Sequence, residues 1–322
     1  MNKALETGNC DVAVVGAGPT GLAAATYLKN KGVQNVLVLD REAEAGGIPR
    51  HCGHPPFGLL EYKRIMSGPA YARALTRTAL DAGVDIALKT SVAGLEPDGR
   101  LTLATPDGSG TLTARRVLLA TGARETPRAA RFVPGQRKLG ITTTGALQSM
   151  VHLKEMIPFK SPVIVGSERV SFSALFTCRM AGVNPVAMVE EGAKPSVWRP
   201  FCHLGRLAGA PLFIQSEILD ISGDGDRVES IRIRDARGWE HKIPCDGIIF
   251  TGQFTPDSAL ARMAGFKLDP NTGAPVTDKT GRCSDPAYFA AGNLLPPTNM
   301  SMNCWRQGRK IAKQILKDLN AG

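Results

Sequence analysis

Six residues near the start of the chain, Gly16-Ala17-Gly18-Pro19-Thr20-Gly21, have the types and the spacing to hold a diphosphate. Gly16 permits a tight turn, Gly18 lets the backbone approach a pyrophosphate, and Gly21 lets the next helix pack closely on the strand before it. The unpaired amides of a helix start then face two negative phosphates. Asp40, with Arg41 beside it, ends the second apolar run, where a carboxylate accepts hydrogen bonds from ribose hydroxyls and repels a 2′-phosphate. Such a turn is common on its own and does not say which dinucleotide is bound. Its weight comes from the strand before it, the helix after it and the acid beyond.

The elements that must carry these residues follow from hydrophobic periodicity. A strand over 11–15, a helix over 20–31 and a strand over 35–39 form a βαβ unit. A helix is expected over 71–82, a strand over 86–93, and a meander over 101–105 and 110–114 whose turns are Asp98-Gly99 and Asp107-Gly108. A strand over 117–120 runs into Thr121-Gly122, and Pro127 and Pro134 then break regular structure. A second α/β unit follows, with strands over 162–165 and 185–189, a helix over 171–181, and further strands over 212–219 and 228–235. The strand over 247–250 leads into Thr251-Gly252, an echo of Thr121-Gly122 that suggests a return to the first domain, completed by 288–293 and a helix over 303–319. The expected domains are 1–125 and 246–322 together, with 126–245 inserted between them.

The inserted unit has its own strand-to-helix turn, Val165-Gly166-Ser167-Glu168-Arg169-Val170-Ser171. After Gly166 the next two glycines of the fingerprint are missing, and Glu168 would meet a phosphate with like charge, so a nicotinamide dinucleotide is expected to bind poorly there.

Composition narrows the rest. With 322 residues, 43% of them hydrophobic, the chain can bury two modest cores. No apolar stretch nears the roughly 20 residues of a membrane span, and the first apolar run is too short for the core of a signal peptide, so a cytoplasmic protein is expected. Seven cysteines, an odd number without a C-x-x-C pair, argue against a disulfide framework, a zinc or iron–sulfur site and a dithiol centre; no metal is expected. The net charge of +10 is spread along the chain rather than gathered into a basic run with aromatics, which argues against nucleic acid and for anionic cofactors, acidic substrates or an acidic partner.

The glycine turn, Gly46-Gly47, Leu119-Ala120-Thr121-Gly122-Ala123 and Phe289-Ala290-Ala291-Gly292-Asn293 together resemble the glutathione-reductase-type flavoproteins over nearly the whole chain. The resemblance implies an α/β protein of two Rossmann-like three-layer dinucleotide-binding domains, the second inserted in the first, with FAD on the first. It brings Gly47, Ile48, Arg50, Thr121 and Gly122 toward the cofactor. It also sets Gly292 and Asn293 at the flavin ribitol, where such proteins usually carry Asp; an amide can still bond a hydroxyl. Met300, Ser301 and Met302, which precede the last helix, would offer backbone N–H groups to the flavin carbonyls.

Within that superfamily, Gly46-Gly47-Ile48-Pro49-Arg50-His51-Cys52-Gly53-His54, Ala120 to Arg128 and Thr142 to Gln148 resemble the α-type subunits of amine and amino-acid dehydrogenases, such as those of opine oxidase, hydrogen cyanide synthase and D-hydroxyproline dehydrogenase. The resemblance implies oxidation of a small amine or amino acid through flavin, beside two further subunits, a second flavoprotein and a small iron–sulfur protein. Two alternatives stand beside it: a self-sufficient NAD(P)H-dependent flavin oxidoreductase, and a non-catalytic nucleotide-binding scaffold subunit. Thioredoxin reductase chemistry needs a dithiol, and Cys178 stands alone. His51, Cys52 and His54 are the candidates for chemistry, histidine because it titrates near neutral pH; the sequence assigns none of them a carboxylate partner.

Overall fold

Residues 12–15 and 36–39 are apolar at every position, the pattern of parallel strands covered on both faces, and all of them are buried. A computed structural model describes residues 8–195 and 209–321. Their packing divides them into two units, unit 1 drawn from Met1–Arg50, Pro55–Arg124 and Thr255–Gly322, unit 2 from His51–His54 and Glu125–Phe254. Among the described residues no helix is long and apolar enough to cross a membrane.

Unit 1 opens with β1 (Asn9–Val15), α1 (Pro19–Asn30), β2 (Val36–Leu39), α2 (Gly68–Asp81) and β3 (Asp85–Ala87), followed by an antiparallel meander of β4 (Ser91–Glu96), β5 (Arg100–Thr105) and β6 (Gly108–Leu119). Strand β1 lies between β2 and β6 and parallel to both, with β3 outside β2. The strand expected over 86–93 is cut in two, because Lys89 takes a left-handed φ of +50°. The two expected over 110–114 and 117–120 are one strand: Arg115 and Arg116 interrupt the apolar pattern but not the ladder. Arg115 reaches Asp11 at 3.6 Å, and Arg116 pairs with Asp318.

Unit 2 runs through β7 (Ile141–Thr143), α3 (Thr144–Lys154), β8 (Pro162–Val165), α4 (Arg169–Met180), β9 (Ala187–Val189) and β10 (Leu212–Phe213). A second antiparallel meander follows, β11 (Glu217–Ser222), β12 (Ser230–Arg234) and β13 (Glu240–Pro244), and then β14 (Gly247–Phe250). The sheet order β10-β9-β8-β14-β7 is parallel throughout. Strand β14 therefore belongs to the middle of this sheet, and the expected return to the first domain at 246 is corrected: the contact boundary falls after Phe254. The single strand expected over 212–219 is divided at Gln215, whose φ is +52°.

The chain re-enters unit 1 at Thr255 and adds β15 (Tyr288–Ala290), parallel to the second half of β6, and α5 (Ser301–Ala321). The stripe Cys304, Gly308, Ile311, Ala312, Ile315 and Leu319 of α5 is buried, the i, i+4, i+7 pattern of a helix facing a core. Burying Ile311, Ile315 and Leu319 contributes roughly 1.5–3 kcal/mol each. Gly308 is required by a close helix crossing, since a Cβ there would overlap the Thr20 carbonyl of α1.

Both units repeat one plan. In unit 1 the helical side of the sheet packs Val12, Val14 and Leu118 with Leu22, Leu28, Tyr71 and Ile315, and the meander side packs Ala13, Val15 and Leu119 with Leu101, Leu103 and Leu112. In unit 2 Ile164, Met188 and Ile249 meet Leu147, Phe172 and Leu175, while Val163, Val189 and Ile248 meet Ile218, Ile231 and Ile233.

Candidate cofactor site and active site

Strand β1 delivers the glycine turn at its carboxyl end, the end where parallel α/β sheets bind ligands. Gly16 has φ +112° and donates its N–H to the Leu39 carbonyl at 2.8 Å; a Cβ on it would lie 2.5 Å from the Ala120 oxygen. A Cβ on Gly21 would overlap the Gly16 carbonyl, so Gly21 is what lets α1 start so near β1. Gly18 differs from both. It has an ordinary extended backbone, φ −81° and ψ −177°, and a Cβ built on it meets nothing within 4 Å. The structure needs glycine at 16 and 21 for its own packing, and at 18 only to keep space open at a helix start. Pro19 begins α1, and the Thr20 hydroxyl donates to the Cys304 carbonyl at 3.2 Å, tying α1 to α5.

Around that space unit 1 gathers most of the residues expected from sequence. Asp40 accepts the Ala17 N–H at 2.7 Å on Oδ2 and the Glu42 N–H at 2.9 Å on Oδ1, which fixes the carboxylate beside the turn. Gly46 donates its N–H to the Ala17 carbonyl at 2.8 Å, and a Cβ on Gly47, φ +64°, would lie 2.8 Å from Gly18 Cα. Next to this second glycine turn the Arg50 side chain is 11% exposed and reaches Glu42 at 3.2 Å. Its Nε is buried without an acceptor, a charged donor left for an anionic oxygen from outside the chain. Ile48 is exposed. Thr121 Oγ1 donates to the Asp257 carbonyl at 2.8 Å, the Asp257 N–H to the Gly122 carbonyl at 2.9 Å, and Arg41 reaches Asp257 at 3.8 Å. Space is open at Gly122 as at Gly18.

Gly292 has φ +76°, lies against Thr20 and donates its N–H to Gln307 Oε1 at 3.1 Å. Asn293 uses both ends of its amide on the turn that starts α5. Its Nδ2 donates to the Asn299 carbonyl at 3.0 Å, and its Oδ1 accepts the Asn299 N–H at 2.7 Å and the Cys304 thiol at 3.3 Å. That turn positions Ser301 and Met302, whose first-turn amides have no acceptor within the helix. Only an amide, with one donor and one acceptor end, satisfies both backbone groups of Asn299. Asn293→Asp, although it restores the residue usual in the look-alike flavoproteins, should therefore lower stability by about 1–3 kcal/mol in urea titrations.

Unit 2 has the same turn with the space filled. The Glu168 carboxylate folds back over it: Oε2 accepts the Ser171 hydroxyl at 2.8 Å and the Thr251 hydroxyl at 2.9 Å, and Cβ atoms built on Gly166 or Gly252 would strike it. A second carboxylate, Glu125, accepts the N–H of Gly145 in the first turn of α3 at 2.7 Å and that of Gly252 at 3.2 Å; burial raises its pKa against these bonds. Two helix starts thus hold the chain's own negative charge. Glu190, just after β9, stands to this turn as Asp40 does to the first, its carboxylate meeting the Ser167 hydroxyl and accepting the Gly192 N–H at 2.8 Å. Glu190 is not among the residues expected from sequence, although an acid directly after the unit's second strand was its signal.

His51, Cys52 and His54 belong to unit 2, where they pack with α3 and α4. His51 Nδ1 lies 3.3 Å from the Gly145 carbonyl, the Cys52 thiol donates to Gln148 Oε1 at 3.4 Å, and His54 Nε2 lies 2.5 Å from Ser173 Oγ. Gln148 also donates to Ser173 at 2.7 Å, so the segment is held by a polar network that sequence spacing does not reveal. Burial, and secondly the charge of Glu125, push the Cys52 thiol up to about 12. At pH 8 roughly one thiol in 10⁴ is then ionised, so iodoacetamide should label Cys52 about 10³-fold more slowly in the folded than in the unfolded chain, read by peptide mass mapping. Among the described residues no three His, Cys, Asp or Glu side chains group as metal ligands.

Known proteins resemble this chain in sequence and in fold. An opine oxidase subunit of Rhizobium meliloti (strain 1021) is 24% identical over 80% of this chain and 59% of its own length. The sarcosine oxidase alpha subunit of the same strain is 25% identical over 97% of this chain and 31% of its own. The chain thus spans about three-fifths of the first relative and a third of the second. Among solved structures, T. acidophilum thioredoxin reductase superposes with a TM-score of 0.80 at 23% identity, covering 97% of this chain and 99% of that one, a likeness of fold. The model of the pyridine nucleotide-disulphide oxidoreductases matches residues 10–310. The chain belongs to that family of oxidoreductases, and its cofactor is FAD.

Proposed function

We propose that the chain is the FAD-carrying subunit of a cytoplasmic complex that oxidises the C–N bond of a small amine or amino acid, the hydride passing through flavin here or on a partner protein. The complex would include a second flavoprotein and a small iron–sulfur protein. The observation that carries the reading is the closed turn of unit 2, where the Glu168 carboxylate lies over the turn and accepts the Ser171 and Thr251 hydroxyls. The sequence has no C-x-x-C pair of the kind that forms a dithiol redox centre. The names of the relatives point the same way, since opines and sarcosine are N-substituted amino acids.

FAD, when bound, supplies the two-electron chemistry. The chain's own part is to hold and tune it: Gly18 and the start of α1 for the pyrophosphate, Asp40 for ribose, Arg50 for an anionic oxygen, and the start of α5 for the negative charge of reduced flavin. His51 and His54 remain the proposed proton-handling groups. The test is anaerobic mixing of the FAD-loaded chain, alone and with flavoprotein and iron–sulfur proteins encoded beside it, with amino acids, N-methyl amino acids and opines. Loss of flavin absorbance with one of these donors is expected; rapid loss with NADH or NADPH alone would overturn the reading.

Glu190 favours a second reading, a self-sufficient NADH-dependent flavin oxidoreductase, because an acid there suits an unphosphorylated ribose. The same mixing experiment separates the two.

A further inference from the structure

The outer side of α5 carries one sign of charge. Arg306, Arg309, Lys310, Lys313 and Lys317 are all exposed. At about 3.6 residues per turn they fall within about 100° of the helix circumference, along about 16 Å of its length, opposite the buried stripe of Cys304 to Leu319. Among the described residues none of these five side chains has an ion pair or a hydrogen bond. The helix has one acid, Asp318, and Arg116 and Arg282 take both its oxygens. Beside it α1 adds Lys29 and no acid. A solvated helix face ordinarily mixes both signs. Here Arg306 with Lys310, Arg309 with Lys313, and Lys313 with Lys317 are like charges four residues apart, which repel. None of the five lies in the last turn, where the helix dipole favours a cation.

The stripe borders a cleft of about 250 Å³ between α1, the short helical turn Leu59–Tyr62, α2 and α5. The rings of Tyr27, Tyr62 and Trp305 wall it, with Leu75, Thr78 and Arg309. Glu61 also lines it, but Oε1 accepts the Tyr71 hydroxyl at 2.7 Å and Oε2 is shielded from solvent, so neither oxygen is open to a visitor. We infer that this face docks an acidic protein, whose carboxylates pair with the stripe and one of whose apolar side chains enters the cleft. Aromatic residues and arginine anchor protein interfaces, with charged groups at the rim. At ~30 Å³ per water-sized volume the cleft has room for about eight such volumes, enough for one leucine or phenylalanine side chain. The Arg309 guanidinium already stands 4.7 Å from the Trp305 ring centroid and 5.9 Å from that of Tyr27, which takes the platforms on which bases would stack. A bilayer surface has no single protruding group of that size. A second copy of the chain, docked two-fold, would set stripe against stripe. The inference does not depend on which donor reduces the flavin.

The probe is a synthetic helical peptide of about 18 residues, with glutamates spaced as Arg306, Lys310, Lys313 and Lys317 are and one leucine beside them. It is titrated calorimetrically into the FAD-loaded chain at about 50 mM salt. The controls are the same peptide with alanine for the leucine, the same with glutamine for the glutamates, single-stranded DNA of equal charge, and phosphatidylglycerol vesicles. The leucine peptide should bind one to one with a Kd below about 100 µM. The alanine form should bind at least about tenfold more weakly, as should the glutamine form, and salt at about 0.5 M should weaken the leucine peptide at least about tenfold. Replacing Arg306, Lys310, Lys313 and Lys317 together by glutamine should have the same effect as salt; all four are exposed, and melting temperature and flavin content check that the variant folds. Thr78→Leu, which fills the cleft from an exposed position on α2, should remove the advantage of leucine over alanine and leave the salt response unchanged. No binding of the leucine peptide up to about 1 mM overturns the inference. So do equal binding of the leucine and alanine forms, undiminished binding by the fourfold variant, and DNA or vesicles bound as tightly as the leucine peptide. A dimer of the chain in sedimentation that Thr78→Leu dissolves would give the cleft to a second copy and overturn it too. Flavin reduced by NADH alone while the peptide binds leaves it intact, which separates its failure from that of the proposed function.

Discussion

Gly18→Val should yield a folded, colourless protein. The wild-type backbone there is extended and a Cβ finds open space, so the substitution costs the apoprotein little, and its thermal midpoint without flavin should match that of wild type. The same side chain stands where a pyrophosphate must approach the amides at the start of α1. Hydrogen bonds from amides to a charged phosphate are worth about 1.5–3 kcal/mol each, and loss of even two weakens FAD by at least about 100-fold. Wild type at a free FAD concentration of 100 Kd gains roughly 2.7 kcal/mol from the ligand; the variant should gain almost nothing. Gly21→Ala must behave differently, because its Cβ overlaps the Gly16 carbonyl and the damage appears with or without flavin. Thermal melts of both variants with and without FAD, and flavin absorbance after gel filtration, make the comparison. A Gly18→Val protein that keeps stoichiometric flavin would mean that the cofactor is held elsewhere.

That contrast also explains how much could be read from sequence. Glycines 16, 18 and 21, the acid at 40 and the helix between them are local: each follows from a few neighbouring residues and the period of the apolar pattern. So the first βαβ unit was legible, and with it the α/β class. What was not legible depended on partners distant in sequence. Asn293 is expected from sequence at the flavin ribitol, and its two-ended clamp on the turn before α5 comes to light only with the approach of Asn299 and Cys304. His51, Cys52 and His54 follow the Gly46-Gly47 turn in sequence yet pack with Gly145, Gln148 and Ser173, about a hundred residues on.

The strand Gly247–Phe250 is legible as a strand, but its sheet is not, for an instructive reason. The Thr251-Gly252 that follows it does echo Thr121-Gly122, but the echo is that of one unit repeating the other. In each unit the pair follows the strand beside the one that carries the glycine turn, β6 beside β1 and β14 beside β8. Internal likeness marked an equivalent position rather than a return to the same domain.

The repeated plan makes Glu168 the sharpest point of difference between the units, and its replacement should restore what the second unit lacks. Wild type is expected to bind NADH with a Kd above about 1 mM. A carboxylate about 4 Å from a phosphate is opposed by roughly 4 kcal/mol at an effective dielectric constant of 20, so Glu168→Ala should strengthen NADH binding by between about ten- and a thousandfold, Ser167 still occupying a glycine position. The hydroxyls of Ser171 and Thr251 lose their shared acceptor, and stability should fall by about 1–2 kcal/mol. Glu168→Gln keeps an oxygen for those hydroxyls and fills the same space without charge. If charge excludes the nucleotide, Gln gains affinity nearly as Ala does; if occupancy excludes it, only Ala gains. Adding Glu190→Ala to Glu168→Ala should then remove most of the gain, since Glu190 is the acceptor left for ribose hydroxyls. Titrations with NADH and with ADP-ribose read all four proteins. Equal and weak binding by all of them would mean that the second unit has lost the rest of the nucleotide site as well, and that Glu168 is a consequence of that loss rather than its cause.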